Sequence, residues 1–325
     1  MGNPKQGQQQ EVFDFMLAAK GGKVSPPFDP NQISELARRG VYIGSASWRY
    51  RGWEGLIYRG GYASESQFQR QSLKEYSALL PCVGLEATAF TWPTSELISQ
   101  LLESTPDSFR FCPKVTQKIT MRRFPQSPAY GRSAGMPNPD FLNAELFHEK
   151  FLVPLFRLGP RLGMVQFEFL DLEEGDIPLL ESFFARIPRD FPICVEIQNA
   201  QFVNKTIYRR WIELDLSPVF HIWPGMPPLS RQWNLYLEAG GGEKSLPLLV
   251  SASVHPDCSP EEAVVLFQPY QAIRRENPEG RAFFSEFRPW IMKNDRKAFI
   301  IIGNRWEGCA PISISLVANS LMREG

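Results

Sequence analysis

The chain has 325 residues, of which 43% are apolar and 22% charged, and it carries no net charge. That is a globular composition with enough chain for a large core, and α/β barrels commonly run past ~250 residues as a single domain. Zero net charge names no partner, so any electrostatic recognition must be local. Five cysteines, at 82, 112, 194, 258 and 309, form no C-x-x-C pair, which argues against a disulfide framework and a zinc ribbon. Three histidines, at 148, 221 and 255, fall at no metal-ligand spacing, so no metal site is assigned. No G-x-S-x-G elbow, P-loop or G-x-G-x-x-G turn occurs, and no cofactor is named.

Residues 1–40 read as an N-terminal extension, partly flexible and apart from any site. Met1–Gln10 is polar and Gln-rich, unlike a signal peptide, and Glu11–Ala19 could form a short helix. Ser25–Pro30 reads as a Pro-rich linker, and Asn31 as the cap of a helix running through Arg39 to Gly40. No apolar run approaches the ~18 residues of a membrane span, so the expectation is a soluble, cytoplasmic, reduced protein.

From Val41 strands and helices alternate. Strands are expected over 41–47, 82–88, 109–114, 163–169, 192–198, 217–223, 247–254 and 297–304. Helices are expected over 65–79, 94–103, 142–158, 176–187, 204–214, 228–239, 259–275 and 311–322, with a further piece at 282–293. Asn204 caps one of these, and Ser259-Pro260-Glu261-Glu262 carries a cap, a first-turn proline and first-turn acids. Eight strand–helix pairs in order imply a parallel sheet with right-handed crossovers, and eight closes an α/β, (β/α)8 TIM barrel over 41–325.

Alternation along the strands then sorts the side chains. Val83, Leu85, Phe109, Phe111, Val165, Phe167, Ile193, Val195 and Ile197 form the bulky face that must meet the helices. The opposite face turns Glu86, Lys114, Gln166, Glu168, Cys194, Glu196 and Gln198 into the lumen, near the C-terminal strand ends where barrel enzymes place their sites. In the later strands the same parity turns His221, Ser251, Ser253 and His255 inward, and only Asn304 marks the end of the last strand. Three glutamates and a lysine are costly to desolvate unless paired, so they form either a structural plug or a polar ligand site.

Two connections bear on ligands. Between Ser108 and Pro139 no acid occurs, yet the span holds Arg110, Lys114, Lys118, Arg122, Arg123 and Arg132. A basic loop over a polar site suits an anion, whether phosphate, carboxylate or a nucleic acid backbone. After the first strand, Trp48-Arg49-Tyr50-Arg51-Gly52-Trp53 interleaves aromatics with arginines, which suits stacking on a sugar or base and equally suits packing at the barrel mouth.

These residues also resemble a known family. Ile43-Gly44-Ser45-Ala46-Ser47-Trp48 with Trp53, and Val83-Gly84-Leu85-Glu86-Ala87-Thr88 with Phe90 and Pro93, resemble the first two motifs of the YecE-like family, the domain of unknown function numbered 72. Phe109–Lys114 with Lys118-Ile119-Thr120, Leu162-Gly163 with Phe167, Val195-Glu196 with Phe202, and Gly303-Asn304 near Gly308 resemble the others, in order, over about 41–322. The resemblance implies a TIM barrel with no settled activity and polar positions at Glu86, Lys114, Glu196 and Asn304. This chain departs from the pattern in places. Gln198 and Asn199 stand where the family usually has Arg-His, Glu168 where it has Gln, and Met121 where it has His. No Arg-x-His-Gly occurs around Ser251–His255.

The resulting expectation is an enzyme for a small anionic, sugar-phosphate-like ligand. Glu196 or Glu86 would act as base and Lys114 would neutralise developing charge. Asn304, Glu168, Gln198, Trp48, Arg122 and Arg123 would contact the ligand. The alternatives are a nucleic-acid-binding barrel using the loop at 110–132, and a catalytically degenerate scaffold. Reaction, metal dependence and oligomeric state are not legible.

Overall fold

The computed structural model describes residues 22–293 and 296–323. The Gln-rich start and the helix expected over Glu11–Ala19 lie outside the described residues. Eight parallel strands run in chain order: β1 (Val41–Ser45), β2 (Cys82–Leu85), β3 (Arg110–Pro113), β4 (Val165–Phe169), β5 (Ile193–Ile197), β6 (Ser217–Ile222), β7 (Leu248–Val254) and β8 (Ala298–Gly303). Their spatial order, β3-β2-β1-β8-β7-β6-β5-β4, wraps one sheet into a barrel. The edges β3 and β4 meet through bridges at Phe111–Leu162 and Lys114–Gln166, where the Val115 N–H donates to Gln166 O at 2.8 Å. This is the TIM-barrel architecture, with helices between the strands.

Most helices start where the sequence supplies an acceptor. Ser64, Thr94, Asn204 and Ser259 each accept from a first-turn amide, and Ser259 with Glu262 completes a reciprocal capping box. Two expectations are corrected. The first helix, Pro30–Arg38, is capped by Asp29, not Asn31; Pro30 fills its first position and Asp29 accepts from the Asn31 N–H at 2.9 Å. The helix expected over 259–275 ends at Phe267, because Pro269 follows and holds Gln268 out of the helical region (φ −59°, ψ 143°). A separate helix, Pro278–Lys293, begins after that break. The helix expected over 142–158 is helical from 144 to 156, with a π segment at Phe147–Leu152.

Two cores lie on either side of the sheet. Outside the barrel, Phe167 meets Phe147, Phe183 and Phe184, while Phe220 meets Trp233 and Tyr236. Phe28, Ile33 and Leu36 join this core, so the second half of the N-terminal extension is packed onto the barrel. Inside, Ala46, Cys82, Cys112, Met164, Cys194, Val219, Leu249, Phe299 and Ile301 form a separate apolar floor. Burial raises the thiol pKa values there, that of Cys112 to about 12, so they are inert packing groups. Gly44 is required by close approach, since a Cβ there would sit 1.9 Å from Cys82 O on the neighbouring strand.

Candidate functional site at the barrel mouth

Above the apolar floor the lumen turns polar. Lys114, immediately after β3, places its Nζ 3.0 Å from Glu168 Oε1 of β4 and 3.9 Å from Glu86 Oε1. Glu86 is not on its strand; β2 stops at Leu85 and Glu86 opens a 3-10 turn through Ala89. That turn is tied down by Thr88, whose hydroxyl bridges Leu85 O and Lys114 O, each at 2.7 Å. Glu196 on β5 is 1% exposed and accepts from the Gln166 amide and, at 3.3 Å, from Gln198 Nε2. Gln198 Nε2 also reaches Glu168 Oε1 at 3.1 Å, so one neutral amide spans two carboxylates.

The electrostatics follow from burial and from unequal numbers of charges. Burial works against the Lys114 ammonium, but Glu168, Glu196 and Glu86 together outweigh it and raise its pKa, so it stays charged. Burial raises the Glu196 pKa. The His221 ring, Lys114 and the Gln198 amide act against that rise, and the neighbouring Glu168 carboxylate adds to it. The cluster therefore holds one cation that keeps its proton and one carboxyl that is reluctant to lose it. Among the described residues no group of three or more His, Cys, Asp or Glu is arranged to hold a metal ion.

The chain from Tyr42 onward has a family match. The model for "Protein of unknown function DUF72" covers residues 42–325. The chain belongs to the DUF72 family. It is 28% identical over 192 residues to the UPF0759 protein YecE of Escherichia coli K12, a match covering 55% of this chain and 60% of YecE. The chain thus spans about 60% of the length of the curated relative it matches. Among solved structures it resembles a DUF72 family protein of Enterococcus faecalis V583, with TM-score 0.60 and 16% identity over 88% of this chain and 96% of that one. A DUF72 family protein of Thermotoga maritima MSB8 gives TM-score 0.58 and 16% identity, over 87% and 99% respectively.

Not every residue singled out in this DUF72 chain reaches the cluster. Lys114, Glu86, Glu168, Glu196 and Gln198 come together as parity requires. Asn304 is the first residue of a short helix, Asn304–Glu307; its Oδ1 accepts from the Ala310 N–H at 2.8 Å, while its buried amide also interacts with the Tyr50 phenol. Trp48 is 4% exposed and belongs to the outer core, with the Arg49 guanidinium 4.9 Å from its ring centre. Trp53 is fully buried between Tyr50, Tyr58 and Tyr76.

The basic loop is divided among several tasks. Arg110 lies at the start of β3, at the opposite end of the barrel, and donates to Asp107 O and Phe109 O. Arg122 pairs with Glu173 at 2.6 Å and Asp176 at 3.4 Å, acids from the connection after β4. Arg123 is exposed and donates to Gly135 O within the loop, and Lys118 sits 5.5 Å from the Trp92 ring centre.

Sequence reasoning placed Tyr50 only within the aromatic entry after β1 and did not single out Glu307. Burial raises the Tyr50 phenol pKa, and the charges of Glu86 and Arg305 act on it, which places it at the same mouth. Glu307 is fully buried and holds Arg281 Nε at 2.8 Å, the Ser313 hydroxyl at 2.8 Å and the Asn277 N–H at 2.7 Å, a structural role. Glu307 has no local sequence signal, because its partners Asn277 and Arg281 come from a distant segment.

Proposed function

We propose that this DUF72 chain is an enzyme that binds a small, hydroxyl-rich ligand bearing an anionic group at the C-terminal barrel mouth, with Glu196 moving the proton. One observation carries the reading: a buried carboxyl with a raised pKa shares a hydrogen-bonded cluster with a lysine held charged. Such a pair supplies a proton carrier and a fixed positive charge for a developing oxyanion. The amides of Gln166 and Gln198 orient the Glu196 carboxyl, and hydroxyl groups of a ligand suit the carboxylates of Glu86 and Glu168.

Lys114 is outnumbered by carboxylates, so it does not by itself attract an anion. Arg305, half-buried beside Asn304, forms no ion pair among the described residues, and its charge reaches the Tyr50 phenol. It is the cation best placed to meet the anionic group. The nucleic-acid reading draws less support, since Arg110 and Arg122 are occupied elsewhere.

The test is an NMR titration with glucose 6-phosphate and with inorganic phosphate. Resonances of Glu196, Tyr50 and Arg305 should shift saturably, and Arg305→Met should weaken binding about tenfold, the scale of one charge-assisted hydrogen bond. Glu196→Gln should retain binding. Shifts confined to residues away from the mouth would sink the proposal.

A further inference from the structure

The segment from Gln268 to Asn277 joins the helices Pro260–Phe267 and Pro278–Lys293. It forms a strap at the C-terminal face, held against the loops that follow β1 and β8. At one end it presses on the β1 loop. A Cβ on Gly52 would sit 2.0 Å from Pro269 O, and Tyr270 packs at right angles to Tyr50 with ring centres 5.5 Å apart. In the middle it meets the short helix Asn304–Glu307: the N–H groups of Arg274 and Arg275 donate to Glu307 O at 2.8 and 3.3 Å. At the far end the Asn277 N–H donates to Glu307 Oε1 at 2.7 Å.

This docking sets two arginines on either side of one helical turn. Gly308 ends that turn with φ 117°, and a Cβ there would lie 2.5 Å from Ala272 O and 3.1 Å from Arg274 Cγ. The stem of Arg274 therefore runs over Gly308, three residues from Arg305. Arg305 is anchored in turn, since its carbonyl accepts from the His255 N–H at 2.8 Å. Arg274 is exposed and Arg305 half-buried. Arg275 belongs elsewhere, because its guanidinium donates to Cys258 Sγ at 3.3 Å.

The nearby acids do not serve this pair. Glu307 and Glu276 both lie against Arg281, at 2.8 and 3.6 Å. Neither Arg274 nor Arg305 forms an ion pair among the described residues. Two unopposed guanidinium groups on one turn repel each other, and an anion between them relieves the repulsion. A guanidinium fork matches phosphate oxygens, and a phosphate dianion can neutralise two arginines where a carboxylate neutralises one. In (β/α)8 barrels phosphate is frequently held by the loops after the last two strands. Here the strap lies between β7 and β8, and the Arg305 helix follows β8 directly.

We propose that Arg274 and Arg305 together form a phosphate-binding edge of the mouth, so that the ligand is a phosphate ester. This rests on the functional reading above, narrows its anionic group to phosphate and adds Arg274. β8, β1 and β2 are neighbours in the barrel, so the arginine pair and Glu86 border the same side of the mouth. A ligand gripped there by its phosphate can lay its hydroxyl groups toward the carboxylates.

The experiment follows the arginine Nε–H resonances of the full chain by NMR during titration with inorganic phosphate, glucose 6-phosphate and glucuronate. Both phosphates should shift Arg274 and Arg305 saturably, and glucuronate should bind about tenfold more weakly than glucose 6-phosphate. Arg274→Gln should abolish that preference, while Arg132→Gln, an exposed arginine of the β3 loop, should preserve it. Equal affinity for glucuronate and glucose 6-phosphate overturns the inference, as does an Arg132→Gln loss as large as that of Arg274→Gln. The wild-type comparison of the ligands needs no variant to fold. Tighter binding of a single-stranded oligonucleotide at Arg274, falling steeply with salt, would make this a nucleic-acid surface and also overturn it. Glucose 6-phosphate that moves Glu196 and Arg305 but not Arg274 sinks this inference alone. Inorganic phosphate that moves both arginines, with Glu196 unmoved by glucose 6-phosphate, sinks the acid–base reading alone.

Discussion

The floor and the mouth of this lumen are built from the same strands, two residues apart. Cys112 lies below Lys114, Met164 below Gln166, Cys194 below Glu196, and Val219 below His221. Below, the side chains are apolar and sealed; Phe299 and Ile301 fill the space and their burial stabilises the closed barrel. Above, every group brought out of water needs a partner, and the partners are unequal: one ammonium, three carboxylates and two amides. The step from one layer to the next teaches that strand alternation assigns the face, while height along the strand decides whether burial stabilises or costs.

Three substitutions probe that contrast. Phe299→Ala empties the centre of the floor and should cost about 4 kcal/mol, read as a lower urea midpoint with unchanged slope. An effect below about 1 kcal/mol would mean that the floor does not hold the barrel closed. Lys114→Met should cost about 3 kcal/mol at neutral pH, because it leaves Glu168 and Glu86 partly buried without their cation. Its folded-state pKa is raised, so the contribution is fully present below the ordinary lysine range and is lost as pH rises through the folded value; the two proteins should converge in strong alkali.

Glu196→Gln should have the smallest effect, and a stabilising one at neutral pH. The carboxyl's folded pKa is raised, so the native state holds more protons than the unfolded chain between the two values, and wild-type stability falls as pH rises through that window. The amide does not titrate, so the variant should gain on wild type up to the folded pKa and match it in acid. The Gln166 amide can turn over to accept from it. A variant that is less stable than wild type at every pH would show that the carboxylate is structurally needed.

Much of this was legible in the sequence because alternation is a local property. The helix-facing run Ile193, Val195 and Ile197 forces Glu196 inward regardless of what the rest of the chain does, and the same holds for His221 between Phe220 and Ile222. Helix starts were legible where a side-chain cap precedes the run, as at Asn204 and Ser259. Legibility failed where the determinant is not local. Trp48 and Trp53 read equally as a stacking platform or as packing at the barrel mouth, and only the fold shows that the outer core claims both. Arg122 reads as a free cation because its span contains no acid, and its partners Glu173 and Asp176 lie some fifty residues on, as the Arg122 and Asp176 numbers show.

The sequence alone thus determined the eight-fold alternation, the lumen-facing set and membership of a DUF72-like pattern, since each rests on spacing within a short segment. Only the tertiary structure decided which charges are spent. Closing the sheet brings β3 beside β4, so Lys114 meets Glu168, and sets β4 beside β5, so Gln166 and Gln198 bridge to Glu196 and Glu168. Pairing and desolvation depend on distances across the barrel, and chain order does not encode those distances.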